Sequence, residues 1–220
     1  MIQELKFKNY KSFKDEVILS FEATKDTTFE DYHVVEVVPG VRLLRFAMVY
    51  GANASGKSNL LDAINFLQNF LFFKADDLSE PTGTIPFKLD AATPNEPSEF
   101  SLKFYVGDTK YWYELKLTPH NVISEKLYYY DSPQPKKLFD RKLKDGQSVI
   151  TFNPATVRIS AAAKEEIALK CLPNMSFFAA RNQVNISIEK VDSAKEWLRK
   201  NLMPIINPTT GMFDYASSKM

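Results

Sequence analysis

A short glycine-rich stretch, residues 51–58, has residue types and a spacing that could do chemistry. It reads Gly-Ala-Asn-Ala-Ser-Gly-Lys-Ser. Gly51 and Gly56 permit a tight turn in which successive backbone N–H groups point into one concavity and surround a phosphate. Lys57 would place its ammonium group near the β- and γ-phosphates, and the Ser58 hydroxyl would ligate Mg²⁺. The stretch therefore predicts a nucleoside phosphate site with Mg²⁺, in which Lys57 is the catalytic residue.

This motif needs a strand before it and a helix after it. The apolar run from Leu43 to Tyr50 predicts a buried strand that leads into the loop. Residues 59–73 follow, with Leu60, Ile64 and other apolar side chains at helical spacing. That helix is apolar nearly all round, so we expect the sheet against one of its faces and more protein against another.

Composition limits the class of protein. The 220 residues suffice for one large domain, and 28 Lys and Arg balance 27 Asp and Glu, so no global charge favours nucleic acid or an anionic membrane. Cys171 is the single cysteine, which we expect to fill core space rather than act as a nucleophile. With only His33 and His120 besides, the sequence predicts no metal cluster and no acyl-transfer triad. Lacking a signal region and any long apolar run, the chain is expected to be soluble and cytoplasmic, with no membrane partner.

The rest of the chain divides into a strand-rich part and a helical part. Alternating apolar residues predict an antiparallel hairpin with its turn near Asp108, extended into a meander over 98–152. The other predicted strands are 2–9, 17–21 and 32–38, and the predicted helical or apolar segments are 160–170, 175–180 and 191–202. We therefore predict a mixed α/β fold with a nucleotide-binding lobe at 1–158 and a helical segment at 159–220 that begins a second lobe.

A nucleotide hydrolase also needs an acidic residue at the end of a second strand to hold Mg²⁺. The one apolar run that ends in an acid is Leu127 to Asp131, and it belongs to the meander. Asp131 is therefore a poor candidate by context, and the chain is expected to carry only half of an active site.

Several segments resemble a known family. The loop at 51–58 resembles the phosphate loop of ABC-type ATPases, whose third position is commonly Asn, and the opening at 7–13, Phe-Lys-Asn-Tyr-Lys-Ser-Phe, resembles the start of the SMC/RecF/OLD group. More narrowly, five segments resemble bacterial "AAA family ATPase" proteins of the OLD-like, abortive-infection type found in anti-phage defence operons: 85–90, 97–100, 111–114, 124–128 and 138–141. The resemblance covers roughly residues 1 to 205.

The resemblance implies site residues and cofactors. ATP and Mg²⁺ would be the cofactors, and Lys11 and Ser12 match an N-terminal element that lies near the nucleotide, with an exposed turn as the alternative interpretation. Gln183 matches the glutamine that touches Mg²⁺ together with Ser58, although a solvated loop residue is the plainer interpretation. The residues that match the phosphate loop are Gly51, Asn53, Ala54, Ser55, Gly56, Lys57, Ser58 and Asn59.

The family fold is an ABC ATPase head with an antiparallel β-subdomain and then a helical lobe. Two heads close on ATP, which implies a homodimer or larger homo-oligomer, with a separate or fused effector such as a nuclease or toxin. The signature motif, the acidic Walker B pair and the switch histidine of that family are not found in these 220 residues. We therefore expect a fragment or a split gene that lacks the C-terminal half of the head.

A basic run at 136–144 has two interpretations. Lys136, Lys137, Arg141, Lys142 and Lys144 would form a solvated hairpin, or they would contact nucleic acid together with the nearby tyrosines at 128–130. The hairpin interpretation is the plainer one.

Two alternative functions remain open at this stage. One keeps the ATPase head but places it in DNA repair or recombination, like the SMC and RecF proteins. The other is a self-contained small-molecule kinase, for which 220 residues suffice. Against the kinase, the chain has a β-meander where strands and helices should alternate.

Overall fold

The computed structural model describes residues 1–202, and the account that follows is confined to them. The predicted tail from Asn207 lies outside this range. In chain order the strands are β1 (Ile2–Lys8), β2 (Val17–Ser20), β3 (Val34–Val38), β4 (Val41–Leu44), β5 (Ser98–Val106), β6 (Thr109–Leu117), β7 (Val122–Tyr130), β8 (Lys136–Lys144) and β9 (Gln147–Phe152). The helices are α1 (Glu30–His33), α2 (Lys57–Phe72), α3 (Ala161–Lys170), α4 (Phe177–Arg181) and α5 (Glu189–Asn201).

Seven of these strands form one antiparallel sheet in the order β2-β1-β5-β6-β7-β8-β9, while β3 and β4 form a separate hairpin. The predicted hairpin and meander are confirmed, with the tight turn at Gly107-Asp108 between β5 and β6. The strand β8 pairs with β7 and β9, and its outward charged residues alternate with inward residues such as Phe139 and Arg141. The large antiparallel sheet with helices makes the fold a mixed α/β one.

The inner face of the sheet carries the hydrophobic core. Side chains at alternate positions of the central strands, such as Phe104, Tyr113 and Leu127, are fully buried. The helices cover this face, and Trp197 on α5 stacks on Phe104 with the ring centroids 4.7 Å apart. Cys171 is buried in a smaller cluster beside the main core, which agrees with its predicted packing role.

The predicted lobe boundary at residue 158 does not divide this core. Residues of α3, α4 and α5, for example Ile167 and Leu198, belong to the same cluster as Leu5 of β1 and Phe100 of β5. The N-terminal hairpin of β1 and β2 also joins the meander in one sheet, because β1 pairs with β5 along its whole length. The described residues therefore share one main core.

The prediction of a buried strand from Leu43 to Tyr50 is wrong. The strand β4 ends at Leu44, and the following side chains are exposed, with Met48 at 77% and Tyr50 at 90% of their full surface. Within the described part of the chain, the backbone of residues 46–50 makes no hydrogen bond to other backbone groups. The apolar composition of residues 46–50 is typical of a core strand, but no strand in residues 1–202 pairs with this run.

The helix after the loop agrees with the prediction, at Lys57–Phe72 instead of 59–73. It buries Ala63, Phe66, Leu67, Phe70 and Leu71 on one side. The sheet packs against α2 through Phe66 and Phe100, and α4 and α5 pack against it as well, which agrees with the prediction of protein on more than one face. Leu61 and Phe73 remain exposed. None of the described helices has the length and apolar character that crossing a membrane would require.

Candidate functional site at the glycine-rich loop

The start of α2 is built to accept an anion. Gly56 caps the helix with φ of 93°, a left-handed conformation that glycine adopts without strain. No side chain caps the first turn and no acidic residue lies in it, so the first N–H groups of α2 have no side-chain partner there. Free N–H groups and the positive end of the helix dipole together favour a bound phosphate.

The ammonium group of Lys57 lies inside the loop. Its Nζ donates to the backbone oxygen of Gly51 at 2.9 Å and to that of Ala52 at 2.7 Å. These bonds hold a positive charge within the concavity. A phosphate oxygen is a stronger, charged acceptor for an ammonium group than a backbone carbonyl is, so a nucleotide can replace these contacts.

The turn between β1 and β2 packs directly on the loop. Asn59 Nδ2 donates to Ser12 Oγ at 2.8 Å, which joins α2 to this turn. A Cβ atom added to Gly56 would lie 3.0 Å from the Phe13 ring and 3.2 Å from Ser12 Oγ. The loop and the turn are therefore in contact at a position where only glycine fits.

A second link lies one helical turn further along α2. Lys11 forms an ion pair with Asp62, and the Tyr10 hydroxyl donates to the backbone oxygen of Asp62 at 3.4 Å. Burial, followed by the nearby Asp62 charge, raises the pKa of Tyr10 far above its ordinary value. The Tyr10 hydroxyl therefore stays protonated and keeps its role as a donor across the physiological range.

Asn9 joins the turn between β1 and β2 to the segment at 87–96. Its Nδ2 donates to the backbone oxygens of Thr93 at 2.8 Å and Glu96 at 2.9 Å, and its Oδ1 accepts from the N–H of Phe87 at 2.9 Å. Asn9 is buried and has φ of 52°, a conformation that Asn tolerates better than most residues. The turn that reaches the loop is thus held by the segment at 87–96.

The structure brings most of the predicted site residues together. Ser12 lies against α2, Lys11 against its second turn, and Ser58 is exposed at the helix start. The loop residues Asn53, Ala54 and Ser55 are exposed, and Ala54 has φ of 62°. The positions of these residues are compatible with nucleotide binding, which stays a prediction for each of them.

Two other candidates form no hydrogen bond with the loop among the described residues. Gln183 follows α4, where its Nε2 donates to the backbone oxygen of Ala179 at 3.4 Å, and none of its hydrogen bonds among the described residues reaches Ser58. Asp131 lies at the far end of the sheet, because Tyr130 pairs with Lys110 while the loop adjoins the opposite end of β1. That separation is about one strand length, roughly 20 Å. Asp131 instead pairs with Lys136 at 2.9 Å.

Sequence reasoning missed Asp62 and Phe13 as neighbours of the loop. Asp62 is three residues after Asn59, so both face the same side of α2. That spacing was visible in the sequence, but the pairing of Asp62 with Lys11 was not.

Among the described residues there is no group of three His, Cys, Asp or Glu side chains that could hold a metal ion. Ser58, at the start of α2, stays the predicted Mg²⁺ ligand at the loop.

The interpretation of the basic run needs a correction at Arg141. This residue is not part of a solvated hairpin: it is fully buried and forms an ion pair with Glu125 at 2.9 Å between nitrogen and oxygen. Arg141 also donates to the backbone oxygens of Leu172 and Met175, and Glu125 accepts from Tyr113 at 2.9 Å. The alternation of β8 points Arg141 inward and its lysine neighbours outward.

The family comparison agrees with this geometry. Residues 46–158, more than half of the chain, match the model of the family described as "AAA domain, putative AbiEii toxin, Type IV TA system". The chain belongs to this AAA-domain family. The match covers the glycine-rich loop, α2 and the meander, and it indicates a P-loop ATPase of an abortive-infection-like family. No curated protein matches the chain.

Proposed function

We propose that this AAA domain is the ATP-binding lobe of an ABC-type, OLD-like ATPase in which ATP and Mg²⁺ bind at residues 51–58. The observation that carries the proposal is the uncapped start of α2 with the Lys57 ammonium group held 2.7–2.9 Å from two loop carbonyls. Lys11 and Ser12 would border the nucleotide from the turn between β1 and β2. Gln183 would be the second protein ligand of Mg²⁺ beside Ser58.

The site is completed, in this proposal, by polypeptide beyond residues 1–202. The exposed apolar residues at 46–50, directly before the loop, support this, because a run such as Phe46 and Tyr50 normally lies inside a sheet. The completing part would supply paired strands and the acidic residue for Mg²⁺. It would also close a second head over the nucleotide, so that ATP binding favours a homodimer or larger homo-oligomer.

ATP would act as a switch on an effector. Binding closes the heads and hydrolysis reopens them, which alters what an attached nuclease or toxin can do. The description of the matched family names a toxin system, and this supports a role in bacterial anti-phage defence. The antiparallel meander, in contrast, gives no support to a small-molecule kinase, whose strands would alternate with helices.

Titration of Mg-ATP by calorimetry, beside Lys57→Ala and with phosphate release followed in parallel, tests the proposal. We expect binding that Lys57→Ala weakens at least tenfold, with almost no turnover by the 220 residues alone. Brisk hydrolysis that Lys57→Ala abolishes would show that the chain carries its own acid and would contradict the divided site. Absence of ATP binding by the wild-type chain would contradict the lobe itself.

A separate measurement tests closure. Light scattering after gel filtration would give the mass with and without Mg-ATP for the protein together with its completing polypeptide. A doubled mass with Mg-ATP that Ser58→Ala prevents is the expected result. A mass that does not change with nucleotide would contradict head closure but would leave nucleotide binding intact.

A further inference from the structure

The outer face of the seven-stranded sheet has an unusual set of side chains. We define the outer face by Trp112, Tyr128 and Tyr130, which are partly exposed, whereas their neighbours Tyr111 and Tyr129 point inward and are buried. The strand register places five outer-face residues side by side in one row across β1, β5, β6, β7 and β8: Glu4, Lys103, Trp112, Tyr128 and Lys137. Two aromatic rings thus lie between two lysines.

The aromatic rings and lysines of this face are in contact. The rings of Trp112 and Tyr128 are stacked, with centroids 4.9 Å apart and planes 23° apart. Lys103 lies 5.9 Å from the Trp112 ring, Lys137 lies 5.9 Å from the Tyr128 ring, and Lys110 lies 5.1 Å from the Tyr130 ring. Each partly exposed ring therefore carries a positive charge beside it.

The outer face is also more basic than the chain as a whole. The whole chain has a formal net charge of +1. In the strands, the outer positions hold nine lysines, Lys6, Lys8, Lys103, Lys110, Lys116, Lys126, Lys137, Lys142 and Lys144, against four carboxylates, Glu4, Glu99, Glu114 and Asp140. The balance of charge on this face is clearly positive, and it is complementary to an anionic polymer.

The existing ion pairs do not block such a polymer. Five of the lysines pair with the four carboxylates, for example Lys103 with Glu4 at 2.9 Å and Lys116 with Glu99 at 2.9 Å. Partly exposed pairs of this kind contribute little to stability, so phosphates can replace them. Burial, followed by the nearby Lys103, lowers the pKa of Lys110, and an anion placed between these two lysines would relieve their repulsion.

We propose that the outer face of the sheet binds single-stranded nucleic acid, with its bases stacked on Trp112, Tyr128 and Tyr130 and its phosphates on the surrounding lysines. Unpaired bases expose a π-face to aromatic side chains, and a groove of positive charge follows the backbone. A duplex keeps its bases stacked internally and offers only its phosphates. The combination of partly exposed rings with lysines therefore favours the single strand.

The test uses fluorescently labelled 20-nucleotide dT and rU strands and the full 220-residue chain, with binding followed by anisotropy. The chain has two tryptophans, so Trp197→Phe leaves Trp112 as the reporter of stacking. We expect binding that quenches Trp112 and weakens with salt, with a slope of about −2 in log K against log salt if three phosphates are held. The triple variant Lys103→Gln, Lys110→Gln, Lys137→Gln should bring that slope close to zero.

Matched controls decide the outcome. The triple variant Lys25→Gln, Lys74→Gln, Lys164→Gln removes the same charge from positions outside the sheet strands and should bind like the wild type. Circular dichroism checks that both variants remain folded. The proposal is overturned by no binding of either strand at 50 mM salt, by equal losses in the two triple variants, by unchanged Trp112 fluorescence on binding, or by tighter binding of a 20-base-pair duplex. Equal quenching by polyglutamate would instead identify the face as a site for acidic protein and would also overturn it.

Discussion

Asn59 donates a hydrogen bond of 2.8 Å to the Ser12 hydroxyl, and this bond joins the first turn of α2 to the turn between β1 and β2. The two residues are 47 positions apart in the chain. Because Ser12 Oγ also adjoins Gly56, the glycine-rich loop is in contact with an element from the far N-terminus. The shape of the proposed nucleotide site therefore depends on both segments.

Removal of the hydrogen bond between Asn59 and Ser12 should weaken Mg-ATP binding, and the effects of substitutions at the two residues should not add. Ser12→Ala and Asn59→Ala should each lower affinity threefold to tenfold, because one hydrogen bond contributes about 1 kcal/mol. The double variant should be no worse than either single one, since both remove the same bond. Calorimetric titration of the three variants checks this. Losses that simply add would show that the two residues act independently.

Among the glycines of residues 1–202, Gly56 should tolerate substitution least. Gly56→Ala places a Cβ atom 3.0 Å from the Phe13 ring at φ of 93°, so both contact and conformation oppose it. We expect a loss of Mg-ATP affinity of at least tenfold and a stability loss of about 1–2 kcal/mol from the left-handed backbone.

Gly40→Ala is the matched control for Gly56→Ala. Gly40 has φ of 81°, but an added Cβ atom there meets nothing within 4 Å. The Gly40→Ala variant should lose a similar amount of stability in urea unfolding, but it should bind Mg-ATP with the affinity of the wild type. Equal effects of the two substitutions on nucleotide affinity would contradict a contact-specific role for Gly56.

The sequence was sufficient for the loop, for α2 and for the meander, because each depends on a local pattern. Glycine spacing and helical periodicity specify the first two, and strict alternation over β5 and β6 specifies the hairpin. The same alternation places Tyr129 inward and Tyr128 and Tyr130 outward. Local patterns also predicted the start of α3, where Ser160 caps the helix by accepting from the N–H of Ala163 at 3.2 Å.

The parts that sequence reasoning missed depend on contacts between distant segments. The apolar run before the loop was read as a buried strand, yet apolar character does not reveal whether a pairing strand exists. Arg141 was read as exposed because its neighbours in sequence are lysines, whereas its partner Glu125 lies 16 residues away on β7. Two of the segments that carry the family resemblance, 124–128 and 138–141, contain these two residues.

The buried pair of Glu125 and Arg141 should be essential for stability. Both side chains are fully buried, and their further bonds to Ser176 and to the backbone of 172–177 join the sheet to the α3–α4 segment. Arg141→Met leaves the Glu125 carboxylate buried without its cation, and we expect a loss of about 3–5 kcal/mol in the free energy of unfolding.

Urea unfolding followed by circular dichroism checks this loss. Lys126→Met is the matched control, because Lys126 forms a partly exposed pair with Glu114 at 3.7 Å on the outer face of the same sheet. Such a pair contributes about 0–1 kcal/mol. If Arg141→Met lowered the free energy of unfolding no more than Lys126→Met does, the buried pair would not hold the sheet to the helices.

Asp90 should give the segment at 87–96 a dependence on acid pH. The hydrogen bond from Lys14, at 2.6 Å, and then those from the N–H groups of Ala92 and Thr93 lower the pKa of Asp90 from 3.8 to about 2. A carboxyl group whose pKa is lower in the folded state stabilises the fold fully above its unfolded pKa. That contribution is lost as the pH falls from about 4 through about 2.

Asp90→Asn should therefore reduce stability at pH 5 and match the wild type more closely as the pH approaches 2. Urea midpoints between pH 2 and pH 5 measure the difference, with Asp108→Asn in the exposed β5–β6 turn as the control. Because Asp90 holds Thr93, whose backbone oxygen accepts from Asn9, the loss should also loosen the turn that reaches the glycine-rich loop. A difference between wild type and Asp90→Asn that stays constant over this range would show that the carboxylate charge does not stabilise the segment.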